Sequence, residues 1–193
     1  MIGISAILLA TGAAALLRNV FKTPQQSIIN TAKKWIGFKE IRGNQGFQNA
    51  DFEALMIKFG GFVKGQPWCG YFVTMVLMTS LKGKQKSDVQ NVYRKLGDTN
   101  NILSLLPQSD SFVLADDPKT GDIVVWNYYQ NGEKQWNGHT GIVINVTDNG
   151  FDTIEGNTNT DGSSEGYEVV QHHRDFIYEA QNGLVISGYV RLI

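Results

Sequence analysis

The stretch of residues 68–78 is apolar on nearly every side, and it constrains the fold more than any other feature. It follows Pro67 and runs Trp-Cys-Gly-Tyr-Phe-Val-Thr-Met-Val-Leu-Met. Its length and its two methionines favour a helix over a strand. A helix without a polar face must lie in the centre of a domain. Shorter apolar stripes within residues 28–36 and 52–59 predict helices that pack near it.

The pattern changes to short strands after residue 118. An Asp-Asn-Gly hairpin signal stands at 148–150 among them. The predicted strands cover residues 123–126, 140–146, 151–157, 167–171 and 184–193. Helices followed by a meandering antiparallel sheet predict one α+β domain over residues 23–193.

Composition supports a packed domain and argues against nucleic acid as a partner. The chain has 193 residues, of which 42% are hydrophobic and 18% charged, and this is enough apolar material to build a core. The formal net charge is only -1. Because no strong basic field exists, we expect no nucleic-acid binding. No feature of the sequence predicts an oligomer.

Residues 1–22 form a separate apolar segment. Residues 2–17 are uncharged and almost wholly apolar, and Arg18 and Lys22 follow them. A bilayer span needs about 20 such residues, so the segment is short for one unless its uncharged neighbours are included. Three interpretations stay open: a membrane anchor or uncleaved signal, a cleaved signal peptide, and a buried N-terminal helix.

The single cysteine, Cys69, is the first candidate for chemistry. One cysteine excludes an internal disulfide and a multi-cysteine zinc site. Two interpretations remain, a small buried apolar residue or a nucleophile. Cys69 stands at the predicted start of the central helix, where the helix dipole and free backbone N–H groups stabilise a thiolate. This position favours the nucleophile.

A cysteine nucleophile needs a base, and the base needs a group that orients it. His139 follows Asn-Gly at the predicted start of a strand and is the candidate base. On the next strand Glu155 and Asn157 would share one face, while Gly156 would leave the opposite face bare. His172 and His173 are adjacent, so on a strand they point to opposite faces and cannot easily share a metal ion.

Four motifs occur in order along the chain: Pro-Trp-Cys-Gly-Tyr-Phe-Val, Gly-Asp-Ile-Val-Val-Trp, Gly-His-Thr-Gly-Ile-Val and Ile-Glu-Gly-Asn-Thr, beginning at residues 67, 121, 138 and 154. Together they resemble those of the CHAP peptidoglycan hydrolases, papain-like thiol amidases related to the NlpC/P60 group. The resemblance extends from about residue 23 to 191 and implies a papain-like CHAP fold. It implies Cys69 as nucleophile, His139 as general base, Glu155 as orienter of the histidine and Asn157 as a polar stabiliser.

The resemblance also implies the substrate class. Peptidoglycan would be cut at an amide, either the N-acetylmuramoyl-L-alanine bond or a bond in the stem peptide or cross-bridge. Such proteins are phage lysins, virion-associated hydrolases or secreted bacterial hydrolases, so we expect a secreted, periplasmic or virion-associated protein, with or without a membrane anchor at residues 1–22. Two alternatives stay open: an inactive cell-wall-binding or structural protein of an envelope or virion, and a thiol acyltransferase for lipids or small amides.

The stretch 127–137 is longer and more aromatic than the family pattern. Tyr128, Tyr129 and Trp136 would line a groove and stack on a sugar or peptide, or would simply pack against the domain. Trp68, beside the nucleophile, joins them as a candidate substrate-binding residue. No Asp-rich loop stands near Cys69, so we expect no required metal and no cofactor.

Overall fold

Helices come first and strands second in the computed structural model, which describes residues 22–160 and 166–193. In this part of the chain the helices are α1 (Pro24–Lys33), α2 (Ala50–Leu55), α3 (Cys69–Ser80), α4 (Gly83–Val92) and α5 (Thr99–Leu105). A π-helical turn, Met56–Gly60, continues α2. The apolar segment predicted from the sequence lies outside the described residues, apart from Lys22.

Within the described residues, the strands form one six-stranded antiparallel sheet. They are β1 (Phe112–Ala115), β2 (Ile123–Gln130), β3 (Glu133–Val146), β4 (Gly150–Thr158), β5 (Glu168–Asp175) and β6 (Gly183–Leu192). Their order across the sheet is β1-β6-β2-β3-β4-β5. The predicted α+β class is confirmed, and the arrangement agrees with a papain-like CHAP fold.

Helix α3 is the central helix that the apolar stretch predicted. Phe72, Val73, Met75 and Val76 each expose 1% or less of their surface, although they point in different directions around the helix. Helix α3 contacts α1, α4, α5 and the π-helical turn on its helical side and strands β3 and β4 on the side of the sheet. A helix enclosed on all sides holds its first residue, Cys69, in a fixed place relative to the sheet.

The stretch 127–137 is a hairpin rather than a loop, so the predicted strand limits were wrong there. Strand β2 continues to Gln130 and β3 begins at Glu133, six residues before His139. Between them Asn131 and Gly132 adopt φ values of 53° and 78°. An Asn-Gly pair in this conformation makes the tight turn that matches the twist of two antiparallel strands.

Gly156 leaves one face of β4 without a side chain, and the beginning of the central helix packs against it. A Cβ atom at this position would lie 2.5 Å from Cζ3 of Trp68 and 2.8 Å from Cβ of Phe72. Helix α3 can therefore approach the sheet closely only because residue 156 has no side chain. The face that Gly156 leaves bare is therefore filled by the side chains of Trp68 and Phe72.

Replacing Gly156 with alanine should destabilise the protein by about 1–3 kcal/mol, since the added methyl group overpacks a rigid interface. It should also lower activity, because the helix that carries Cys69 would have to move. Urea unfolding and peptidoglycan digestion would measure the two effects. An unchanged unfolding midpoint would contradict the close packing of Gly156 against α3.

Candidate active site

Cys69 lies where the central helix begins. It is the first residue of α3, is 4% exposed and lines a cleft of about 320 Å³. As a first-turn residue it has a backbone N–H group with no carbonyl partner inside the helix. The chain before it is fixed by Trp68, whose Nε1 donates to Oε2 of buried Glu40 at 2.6 Å. The beginning of α3 therefore places the thiol and the backbone N–H group of Cys69 together at the cleft.

His139 and Glu155 form a fully buried pair on neighbouring strands. Nε2 of His139 lies 2.8 Å from Oε2 of Glu155, and neither side chain has exposed surface. Gly141 makes this approach feasible, because a Cβ atom there would lie 2.6 Å from Cγ of Glu155. The carboxylate side chain therefore occupies the space that a larger residue on β3 would take.

The second ring nitrogen of His139 is available to the cysteine. Nδ1 is buried and makes no hydrogen bond within the described residues. Burial alone would lower the pKa of His139, but the neighbouring side chains of Cys69 and Glu155 outweigh it and raise that pKa from 6.5 to about 9. Because Glu155 occupies Nε2, the imidazolium would hold its other proton on Nδ1, the nitrogen left for Cys69.

Glu155 is held on both of its oxygens. Oε1 accepts from Thr153 Oγ1 at 2.5 Å and from Arg174 Nε at 2.9 Å, and Oε2 accepts from Arg174 Nη2 as well as lying against His139. Burial alone would raise the pKa of Glu155, yet the bonds from Arg174 and His139 hold it well below its ordinary 4.5. The carboxylate is therefore ionised and fixed in orientation.

Arg174 is the contact that sequence analysis missed. It lies on β5, 19 residues after Glu155. A buried carboxylate needs hydrogen-bond donors on both of its oxygens, and a histidine supplies only one, so this rule could have prompted a search for an arginine. The choice among arginines depends on how β4 and β5 pair, which the sequence does not state.

Asn157 lies at the irregular end of β4. It has no exposed surface and its φ is 59°, and the β4–β5 register shifts between Glu155 and Thr158. The left-handed backbone turns the chain here, a conformation that asparagine tolerates better than most residues. The simple strand alternation that put Glu155 and Asn157 on one face does not describe this bulged segment. The role of Asn157 as a polar stabiliser stays a prediction.

The four predicted substrate-binding aromatics lie in different places. Trp136 is 86% exposed and lines the same cleft as Cys69. Tyr128 is half-buried on β2, and Tyr129 lines a separate cavity of about 390 Å³. Trp68 has no exposed surface and packs between Phe47 and Gly156, so it has no surface with which to contact a substrate. Residues beside a nucleophile in sequence are not always beside it in the cleft.

Within residues 22–160 and 166–193, no group of three or more His, Cys, Asp or Glu side chains has the arrangement of a metal site. Across these same residues, no helix has the length and apolar character needed to cross a membrane.

A family model described as the CHAP domain matches residues 61–157. The chain belongs to the CHAP-domain family. The match includes Cys69, His139 and Glu155 but is shorter than the span of about 23–191 suggested by the motifs, and it leaves out β5 with Arg174. A CHAP domain implies amidase or endopeptidase activity on peptidoglycan in general terms. No curated protein and no solved structure matches the chain.

Proposed function

We propose that the protein hydrolyses an amide bond of peptidoglycan with Cys69 as nucleophile, His139 as general base and acid, and Glu155 as orienter of the histidine. The observation that carries this proposal is the buried His139–Glu155 pair beside a cysteine that begins a helix on the wall of a cleft. A cysteine kept only for packing needs no ionised pair next to it.

The reaction would proceed by acyl transfer in two steps. The sulfur of Cys69 attacks the amide carbonyl carbon while its proton resides on Nδ1 of His139, and the C–N bond breaks as His139 protonates the leaving amine. The backbone N–H of Cys69 faces the developing oxyanion. Water, deprotonated by His139, then breaks the thioester and releases the acid. Glu155 keeps the ring oriented and stabilises its positive charge throughout.

Digestion of purified sacculi tests the proposal and identifies the bond. Mass spectrometry of soluble products should detect intact stem peptides beginning at L-alanine if the protein is an amidase, and shortened stems or bridge peptides if it is an endopeptidase. Because Cys69 is the sole cysteine of the chain, the same protein alkylated with iodoacetamide is a clean control. Equal digestion by alkylated protein would refute thiol chemistry, and no digestion of sacculi from several sources would favour a wall-binding module or another acyl substrate.

We further propose that the protein acts on the cell wall from outside the cytoplasmic membrane, either carried by a phage particle or lysin system or exported for bacterial wall remodelling. Peptidoglycan lies only on that side of the cytoplasmic membrane. Residues 1–22 would serve as an export signal or an anchor.

Replacing Trp136 with alanine should raise the peptidoglycan concentration needed for half-maximal rate by about tenfold, the order expected when an exposed aromatic anchor is lost. The maximal rate and the unfolding midpoint should change little, because the ring is 86% exposed and contributes little to the core. Tyr129→Ala, on the same hairpin but in the separate cavity, is the matched control. Equal effects of both substitutions would contradict a role for Trp136 at the cleft.

A further inference from the structure

We propose that Arg174 is a positioning residue of the active site, which fixes the Glu155 carboxylate toward His139 and keeps that carboxyl ionised. The proposal rests on the roles given above to Cys69, His139 and Glu155. It adds a residue from outside the CHAP match, which ends at residue 157.

The geometry connects Arg174 to His139 by two routes. Arg174 pairs in register with Phe151, and its side chain extends along the sheet past Thr153 to bond both oxygens of Glu155. Its guanidinium also lies 5.5 Å from the centre of the Trp126 ring, and that ring stacks on His139 at 5.8 Å with an angle of 27°.

The bonding pattern limits how the carboxylate can move. A planar guanidinium that donates from both Nε and Nη2 holds a carboxylate at two points, which a lysine cannot do. Oε2 is shared between Arg174 and His139, so rotation away from the ring would break bonds to both. The Arg174 side chain is only 16% exposed, and water therefore cannot readily replace it.

The charges show how Arg174 would affect the titration of the site. The ionisable groups acting on the pair are Cys69 from α3, His139 from β3, Glu155 from β4 and Arg174 from β5. The fixed positive charge of Arg174 beside Glu155 favours ionisation of that carboxyl. It also opposes a second positive charge on His139. Removing it should therefore raise the pH at which each of these two groups titrates.

The test compares three single variants. R174M removes the charge and keeps an apolar side chain of similar length, while R174K keeps the charge but not the two-point hold. The matched control is R191M, because Arg191 makes a similar two-point bond to buried Asp122 on the same sheet without contacting His139 or Glu155. A purely structural role for Arg174 would make R174M resemble R191M.

Two measurements separate the outcomes. The titration of His139, followed by NMR on histidine-labelled protein, should move up by about one pH unit in R174M and stay near the wild-type value in R174K and R191M. Fragment release from sacculi at pH 7 should fall at least tenfold in R174M and less in R174K, and both limbs of the R174M pH–rate profile should move to higher pH. An R174M protein with wild-type titration and wild-type rate would overturn the proposal.

If R174M fails to fold, R174K decides. A lower release rate with an unchanged His139 titration supports positioning, and a wild-type rate overturns it. The NMR titration needs no substrate, so it can support or refute the effect of Arg174 even if sacculi are not digested. If sacculi are not digested but the titration of His139 moves in R174M, the assignment of substrate fails while the link between Arg174 and His139 stands.

Discussion

Replacing Cys69 with alanine should lower fragment release from peptidoglycan by about 10⁴-fold or more, as expected when the nucleophile of a covalent mechanism is removed. No second cysteine exists to take over. The remaining pair, His139 with Glu155, has no group left to activate except water, which is a much weaker nucleophile than a thiolate. Product quantification by mass spectrometry gives the ratio of rates.

The same substitution should leave the fold nearly unchanged. Cys69 contributes a small side chain at the edge of the core, and alanine is a favourable helix residue. Val76→Ala, a truncation in the buried middle of the same helix, is a control with the opposite expected result. It should lower the free energy of unfolding by about 2 kcal/mol and keep the chemistry. If Cys69→Ala still digested sacculi at the wild-type rate, Cys69 would not be the nucleophile.

Much of the fold was predictable because the pattern of apolar residues shows which segments are buried. Residues 68–78 have no polar face, so their helix had to be central, and the strands after residue 118 follow their turn signals. Cys69, His139 and Glu155 could be grouped because a thiol nucleophile needs a base and the base needs an orienter. The structure brings His139 and Glu155 into contact as that chemistry requires.

The residues that escaped prediction depend on pairing and packing, not on local pattern. Trp68 adjoins the nucleophile in sequence, yet its bond to Glu40 and its contact with Gly156 draw it into the interior. Tyr129 is seven residues from Trp136, but the Asn-Gly turn places it at another cavity. Arg174 reaches Glu155 only through the β4–β5 register. Each of these depends on three-dimensional neighbours that spacing along the chain does not specify.

Replacing Glu155 with glutamine should have the second large effect, and it should reach both activity and stability. Glutamine keeps the shape but removes the charge, so His139 loses the group that stabilises its imidazolium. We expect the rate to fall about 10²-fold or more. Arg174 would also be left buried beside a neutral amide, which should cost about 3 kcal/mol of unfolding free energy.

The pH dependence of stability distinguishes this role from simple packing. The pKa of Glu155 is held below 4.5, so its contribution is present above that pH and is lost as pH falls through the lower folded value. The pKa of His139 is raised to about 9, so its contribution is complete below 6.5 and is lost as pH rises through 9. For this pair, wild-type stability should decline on both sides of the interval from 4.5 to 6.5.

Glu155→Gln should reduce the decline between pH 6.5 and 9, because His139 loses one of the two neighbours, Cys69 and Glu155, that raise its pKa. Urea unfolding at a series of pH values measures how the free energy of unfolding changes with pH. Asp122→Asn is the control, since it breaks the separate buried pair with Arg191 and should lower stability while leaving the slope above pH 6.5 intact. A wild-type slope in Glu155→Gln would mean that Glu155 does not help to keep His139 charged, and its stabilisation of the imidazolium would then have to be given up.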